Sequence, residues 1–141
     1  MGSADVQGPL WGAEADTWSR IQEPQHRPLF TAMLEAAEVG PGTRVLDVGC
    51  GGGFSCRLAF ERGARVTGLD AAEGMIDHAR MAVPEVEFHI GDMERLPFED
   101  QSFDVVFAGN AVQYAASRCP IAPYPRMTAR PPSSRTMPPA V

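Results

Sequence analysis

The fold of this chain is decided by the stretch VLDVGCGGG, residues 45–53. Its apolar first half predicts a short buried strand over residues 43–48, and the residues that follow predict a helix from Phe54 to Arg62. Glycines permit a tight turn between the two elements and let a ligand contact the backbone. Nucleotides bind at the carboxyl ends of the strands in doubly wound sheets. The helix start at Phe54 is therefore expected to offer backbone N–H groups to a carboxylate or phosphate.

Strand and helix patterns alternate outward from this stretch. Before it, residues 1–13 are expected to be irregular, residues 14–22 to form a short helix, and Pro28 to begin an amphipathic helix. After it, strands are predicted at residues 65–69, 86–90 and 103–108, and a helix at residues 71–81. Alternating short apolar strands and helices predict a parallel sheet with helices on both faces.

Composition narrows the class of protein. All 18 acidic residues and 8 of the 12 Arg residues precede residue 115, which makes that part strongly acidic. An acidic body disfavours a surface for nucleic acid, because such binding depends on neutralising phosphates. The chain has neither an apolar run of about 18–20 residues nor a secretory signal, so we expect a cytoplasmic protein without membrane insertion. The three Cys residues lack zinc-site spacing, so no metal is expected.

The last 27 residues differ in composition from the rest of the chain. Residues 115–141 hold 7 of the 13 Pro residues, four Arg residues and neither Gly nor acid. Such composition predicts a disordered Pro/Arg-rich tail.

A carboxylate follows the next predicted strand. Asp70 lies 19 residues after Gly51, close to the distance of about 20 residues at which an acid contacts ribose hydroxyls. Asp70 would serve equally well as the N-cap of a helix starting at Ala71. Both roles can hold at once.

Two details favour a cationic nucleoside over a dinucleotide. The dinucleotide fingerprint GxGxxG would place its third glycine at Phe54 or Cys56, and neither is glycine. Asp47 lies two residues before the first glycine, and a carboxylate aimed at the site would repel a pyrophosphate. S-adenosylmethionine instead carries a sulfonium, an ammonium and one carboxylate.

These residues carry a resemblance to a known family. Residues 45–53 resemble motif I of class I S-adenosylmethionine-dependent methyltransferases, and residues 66–70 resemble their second motif. Further motifs, at residues 91–93, 96–98 and 103–106, closely resemble the branch called methyltransferase type 11. The resemblance covers about residues 9–114 and implies S-adenosylmethionine as the cofactor.

The resemblance assigns roles to particular residues. It implies that Asp47 and the backbone of Gly49, Cys50 and Gly51 hold the methionine end of the cofactor. It implies that Asp70 binds the ribose hydroxyls.

The resemblance also implies which residues lie near the adenine and near the transferred methyl group. The resemblance places Ala71 and Met75 beside the adenine, while Asp92 accepts from the adenine amino group and the Met93 backbone nitrogen donates to the ring. Asn110 is expected next to the methyl group. A turn at the end of the strand would explain Asp92 without a ligand.

Trp18 is expected to cover the site, where cation–π attraction to a sulfonium would suit it. A core or lid aromatic explains Trp18 equally well. Catalytic residues are not identified. His26, His78 and His89 are only weak candidates for a general base.

The resemblance also completes the expected fold and function. It implies a Rossmann-like α/β sheet of order 3-2-1-4 with flanking helices, which is incomplete relative to the family's seven strands. The expected divisions are an N-terminal segment (1–26), the cofactor-binding half-domain (27–114) and the tail (115–141). The tail resembles nothing in the family, so the chain is expected to be truncated.

The expected function is methyl transfer from S-adenosylmethionine to a small-molecule acceptor, impaired by the truncation. The alternatives are a catalytically dead nucleoside-binding module and, less favoured, an NAD-dependent oxidoreductase. The fourth strand, apolar on both faces, would become an exposed edge. Marginal stability and self-association through this edge are expected.

Overall fold

A four-stranded parallel sheet forms the centre of the computed structural model, which describes residues 2–116. The strand order is β3-β2-β1-β4, as expected from the sequence. The strands are β1 (Arg44–Val48), β2 (Arg65–Asp70), β3 (Glu87–Ile90) and β4 (Val105–Phe107). Parallel pairing aligns Val45 of β1 with Val66 of β2 and with Val105 of β4. The carboxyl ends of all four strands therefore lie at one edge.

Within residues 2–116, five α-helices flank the sheet: α1 (Ser3–Ala13), α2 (Ala15–Thr17), α3 (Arg27–Ala36), α4 (Phe54–Phe60) and α5 (Glu73–Ala82). A π-helical turn (Trp18–Gln22) and a 3-10 turn (Glu23–His26) join α2 to α3, and another 3-10 turn (Val112–Tyr114) follows β4. Pro28 lies in the first turn of α3, as predicted.

The sheet has an apolar core on each face. Val45, on one face of β1, packs in the larger core with residues from α3, α4 and α5. Leu46 and Val48, on the other face, pack with Leu69 and with apolar residues of the loop before β4. Both faces of β1 are buried, as expected for a central parallel strand.

The expectation of irregular structure over residues 1–13 is wrong, because α1 occupies nearly all of that range. Gly8, Pro9 and Gly12 have low helix propensity, which explains the error. Tertiary packing outweighs this propensity. A Cβ on Gly8 would lie 2.7 Å from the carbonyl oxygen of Ala71, and one on Gly74 would lie 2.8 Å from the Gly12 carbonyl oxygen. Glycines thus allow α1 to approach the start of α5 closely.

The start of α1 is anchored beyond β3. The Ser3 backbone N–H and hydroxyl donate to the Glu94 carboxylate at 3.0 and 3.1 Å. Residues 2–26, called the lid below, therefore cross the carboxyl-end edge of the sheet from β3 toward residues 49–53, called the glycine loop.

Other differences from the expectations are small. The helix predicted from residue 71 begins at Glu73, because the Asp70 carboxylate holds Ala72 in the turn before it. The strand predicted over residues 103–108 has only three residues. Nearly all of the tail (115–141) lies outside the described residues. No helix within residues 2–116 has the length and apolarity needed to cross a membrane.

Substitution of Gly8 should loosen the lid. In Gly8→Ala the new methyl group meets a backbone carbonyl oxygen that cannot move alone, and overpacking of this kind costs about 1–3 kcal/mol. Trypsin should then cleave after the exposed Arg20 several-fold faster than in the wild type. Gly12→Ala is the matched control, because its Cβ would lie 3.8 Å from the nearest atom outside its own helix. Equal cleavage of the two variants would contradict the packing described for α1.

Candidate functional site

A cleft of about 850 Å³, partly open to solvent, lies between the lid and the carboxyl ends of the strands. The glycine loop forms its floor, and the loops after β2, β3 and β4 form its walls. Of the eleven residues expected at the site, the structure places ten on the cleft surface: Trp18, Gly49, Cys50, Gly51, Asp70, Ala71, Met75, Asp92, Met93 and Asn110.

Backbone conformation explains two of the glycines in the loop. Gly49 and Gly51 have φ angles of 74° and 54°, in the left-handed region that glycine adopts without strain. A Cβ on Gly49 would also overlap that of Ala111, which packs on the loop from the segment after β4. One side of the loop therefore packs against Ala111, while Gly49 and Gly51 also line the cleft.

The sequence predicted that backbone N–H groups at the start of α4 are free to bind a ligand. The structure corrects this prediction, because two of these groups already donate hydrogen bonds within the chain. The Gly52 N–H donates to Oε1 of Glu23 at 2.7 Å. The Phe54 N–H and the Trp18 side chain also donate to the Glu23 carboxylate. A carboxylate of the chain itself therefore holds the position that the sequence assigned to an anionic ligand group.

Glu23 is only 5% exposed although it is charged and belongs to the lid. Burial raises the pKa of Glu23, while the hydrogen bonds from Gly52, Phe54 and Trp18 act to lower it. Sequence reasoning missed this residue, since Glu23 lies 29 residues before its partner Gly52 and outside any motif. A glutamate before a proline usually indicates only a solvent-exposed turn.

Asp70 stands on the opposite side of the loop. Its Oδ2 accepts from the Gly51 N–H and its Oδ1 from the Ala72 N–H, both at 2.9 Å. Burial raises the pKa of Asp70, and these N–H groups oppose the rise. The N-cap prediction for Asp70 is wrong, because Ala72 is the N-cap of α5. The carboxylate nevertheless stabilises the turn before that helix.

Asp47 is the one expected site residue that does not reach the cleft. Side chains alternate along β1, so Asp47 lies on the same face of the sheet as Val45. Its carboxylate is directed toward α4. There it accepts a short hydrogen bond from the Ser55 hydroxyl and another from the Cys56 thiol at 3.4 Å. Burial raises the pKa of Asp47 to about 7, although both hydrogen bonds oppose the rise. Asp47 thus contacts the first turn of α4, directly after the loop.

The wall near β3 is covered by the lid. Met75 is 2% exposed and packs against Trp11 and Trp18. The Asp92 carboxylate accepts from the Glu94 N–H at 2.8 Å, which is the strand-end turn considered as its alternative role. Asp92 remains on the cleft surface together with Met93.

Aromatic side chains line the part of the cleft nearest the segment after β4. Trp11 contacts Trp18 and Tyr114 in edge-to-face geometry, with ring centroids 5.0 and 5.5 Å apart. His26 lies between Trp18 and Phe30. Sequence analysis did not assign Trp11, Phe30 or Tyr114 to the site, because single aromatics at helical spacing are indistinguishable from core residues.

His26 is the one histidine among the three candidates that lies on the cleft surface. Its Nδ1 is 2.9 Å from the Gln22 carbonyl oxygen, which can only accept, so Nδ1 carries the proton. In the neutral ring Nε2 is then the unprotonated nitrogen. His89, by contrast, contacts Glu87 on β3.

The charges of the cleft fit a cationic cofactor better than a phosphate-bearing one. Glu23, Asp70 and Asp92 line it, and its described lining contains no Arg, while the chain has no Lys at all. Carboxylates without a compensating cation repel a pyrophosphate and attract a sulfonium or an ammonium. The donor set therefore fits S-adenosylmethionine and disfavours a nicotinamide dinucleotide.

Comparison with known proteins agrees with this assignment. A family model described as a methyltransferase domain matches residues 46–121, which is more than half of the chain. This chain belongs to the class I S-adenosylmethionine-dependent methyltransferase family. The family match begins within β1, so the lid lies before the matched residues.

Individual relatives of this methyltransferase-family chain cover similar stretches. A malonyl-[acyl-carrier protein] O-methyltransferase of Serratia marcescens is 42% identical over 90 residues, which are 64% of this chain and 35% of that protein. A demethylmenaquinone methyltransferase of Chlorobaculum parvum is 45% identical over 71 residues, 50% of this chain and 30% of that protein. The chain thus spans about a third of the length of these two relatives.

Solved structures give the same picture. The S-adenosylmethionine-dependent methyltransferase of Mesorhizobium loti is 41% identical and superposes with a TM-score of 0.51 over 59% of this chain and 38% of that chain.

The pKa of Asp47 predicts a pH-dependent stability. Because burial raises this pKa from 3.8 to about 7, the folded chain binds a proton that the unfolded chain has lost. The free energy of unfolding should therefore fall as pH rises toward 7 and level off above it. Urea denaturation from pH 5.5 to 8.5 should show a smaller fall in Asp47→Asn, whose side chain does not titrate.

The exposed residue Asp16 supplies the control for this experiment. Asp16→Asn should follow the wild-type curve. A wild-type curve parallel to that of Asp47→Asn would show that Asp47 is ionised in the folded state throughout the range.

Proposed function

We propose that this chain binds S-adenosylmethionine in the cleft and transfers its methyl group to a small-molecule acceptor. One observation carries the proposal: a glycine loop at the carboxyl end of β1 is surrounded by carboxylates and lacks a facing cation in the described lining. The bound cofactor supplies a methyl group on a sulfonium that a nucleophile can attack in line. The chain supplies positioning and a partly desolvated site.

The adenosine half of the cofactor fits the wall formed after β2 and β3. We assign the ribose hydroxyls to Asp70, because carboxylate oxygens that each accept one backbone N–H retain further acceptor capacity. Ala71 and Met75 would contact the adenine on one face. Asp92 would accept from its amino group and the Met93 N–H would donate to the ring.

The methionine half fits the glycine loop. The backbone of residues 49–51 would contact the amino-acid end, and the methyl group would point toward Asn110 and the aromatic side chains near it. Asn110 supports such a position because it lies on the cleft surface in the segment after β4. Trp18 would face the sulfonium. Asp47 would act indirectly, by fixing the loop through Ser55 on α4.

An apolar or aromatic acceptor suits the wall built from Trp11, Trp18, Phe30 and Tyr114. A malonyl-[acyl-carrier protein] and a demethylmenaquinone appear in the names of two relatives, and neither name refers to a nucleic acid. The acidic body continues to disfavour nucleic acid as the acceptor. A turnover assay over small acceptors would separate a methyltransferase from a cofactor-binding module that has lost activity.

We assign residues 27–114 to the cofactor-binding half-domain and residues 1–26 to the segment that covers it. Contacts of the lid with the glycine loop and with Glu94 support this division. The cytoplasmic location expected from the sequence stays a prediction.

Calorimetric titration tests the proposed cofactor. S-adenosylhomocysteine, the demethylated cofactor, should bind, while NAD should not, since its pyrophosphate would meet Glu23, Asp70 and Asp92. Asp70→Ala should weaken binding of S-adenosylhomocysteine by at least tenfold, because a hydrogen bond to a charged group contributes roughly 1.5–3 kcal/mol. Cys50→Ala is the control, since the Cys50 side chain is buried and its backbone makes the proposed contact.

Two outcomes would count against the proposal. Binding of NAD without binding of S-adenosylhomocysteine would overturn the cofactor assignment. Equal affinities of Asp70→Ala and Cys50→Ala would show that Asp70 only stabilises its turn.

We also propose that two copies of the chain associate through the outer edge of β4. Within residues 2–116, β4 pairs with β1 alone, and its residues Val105, Val106 and Phe107 are half-buried. Among residues 103–108 only Asp104 is charged, and it pairs with Arg44 of β1 at 2.9 Å, whereas natural edges are protected by charge, proline or bulges. Light scattering after size exclusion should therefore show a mass that increases with concentration. A constant monomer mass would contradict this association.

A further inference from the structure

We propose that Glu23 binds the α-ammonium group of the cofactor, so that the lid recognises the amino-acid end of the ligand. The inference rests on the proposed function, since it takes S-adenosylmethionine or its product as the ligand. Glu23 is thereby assigned as a positioning residue that no motif of the sequence indicated.

The position of Glu23 is set by the glycine loop. A Cβ on Gly51 or Gly52 would overlap the Glu23 carboxylate or Ser19, so the lid sits directly on the loop backbone. The carboxylate accepts from the N–H groups of Gly52 and Phe54 and from Trp18, and it lies on the cleft surface. A carboxylate offers about four acceptor positions, so three donors leave capacity for one more.

The occupied N–H groups decide which end of the amino acid can approach. The cofactor carboxylate cannot use the Gly52 and Phe54 N–H groups unless Glu23 leaves them. It would also face the negative charges of Glu23 and Asp70. An ammonium meets neither obstacle, because it is a compact cation with three donors.

The charge around the loop points to the same group. In addition to burial, the negative charge of Asp70 raises the pKa of Glu23, and the charges of Glu23 and Asp70 both raise the pKa of Asp47 beneath the loop. The described lining of the cleft supplies no Arg to offset them. A bound ammonium would place one positive charge among these carboxylates and so stabilise the closed position of the lid.

Binding measurements with two ligands test the assignment. S-adenosylhomocysteine carries the ammonium, while 5′-deoxy-5′-methylthioadenosine shares its nucleoside and sulfur but lacks the amino-acid end. Glu23→Gln keeps an acceptor for Gly52 and removes the charge. It should weaken S-adenosylhomocysteine binding roughly tenfold or more and leave methylthioadenosine binding within about twofold. Glu14→Gln, an exposed change in the same segment, should alter neither affinity.

Proteolysis gives a second readout that does not depend on the variant. In the wild type, S-adenosylhomocysteine should slow trypsin cleavage after Arg20, and saturating methylthioadenosine should slow it much less.

A second variant at the same position checks the role of the charge. Glu23→Asp keeps the charge on a shorter side chain, so it should bind S-adenosylhomocysteine more tightly than Glu23→Gln does.

The outcomes separate this inference from the proposed function. Equal loss of both ligands in Glu23→Gln would show a purely structural role and overturn the inference. Wild-type affinity for S-adenosylhomocysteine in Glu23→Gln, or equal protection of the wild type by the two ligands, would overturn it as well. Failure of the wild type to bind either ligand would instead overturn the proposed function and the inference with it.

Discussion

The backbone N–H groups of the glycine loop need acceptors, and much of the structure is arranged to supply them. Gly51 donates to Asp70 at the end of β2, and Gly52 donates to Glu23 in the lid. These two carboxylates come from opposite sides of the loop and lie 47 positions apart in the chain. The loop conformation thus depends on both the order of the strands and the docking of the N-terminal segment.

Supplying these acceptors has an electrostatic consequence. Glu23, Asp47 and Asp70 are all removed from water, and burial raises the pKa of each. Hydrogen bonds from the backbone, Ser55 and Cys56 offset part of this cost, but no positive side chain lines the described cleft. A cationic ligand would offset much of the remainder. Under the proposed function, Glu23 and Asp70 would therefore both shape the loop and favour a cationic ligand there.

Sequence reasoning succeeded where one local pattern had one structural solution. The strands β1 to β4 are short and apolar and the loop after β1 needs glycine, so a parallel sheet with a ligand-facing turn could be predicted, while the resemblance implied the sheet order and most of the ten cleft residues. Sequence reasoning failed where tertiary packing decided the outcome. Gly8 and Gly12 weaken a helix in isolation, yet they allow α1 to approach α5. The direction of the Asp47 side chain could have been predicted, because side chains alternate along β1 and Asp47 therefore lies on the opposite face of the sheet from Leu46 and Val48.

The residues matched by the family model include the glycine loop and begin after the end of the lid. The family model begins at residue 46, so it includes the glycine loop and Asp70 but excludes Trp11, Trp18 and Glu23. Those three residues lie on the cleft surface and come from helical turns whose sequence carries no motif. Under the proposals above, the glycine loop and Asp70 would hold the cofactor from the matched part, and Glu23 and Trp18 would contact it from the lid. The aromatic wall combines Trp11 and Trp18 of the lid with Phe30 of α3 and Tyr114 after β4, so its shape depends on residues both outside and inside the matched range.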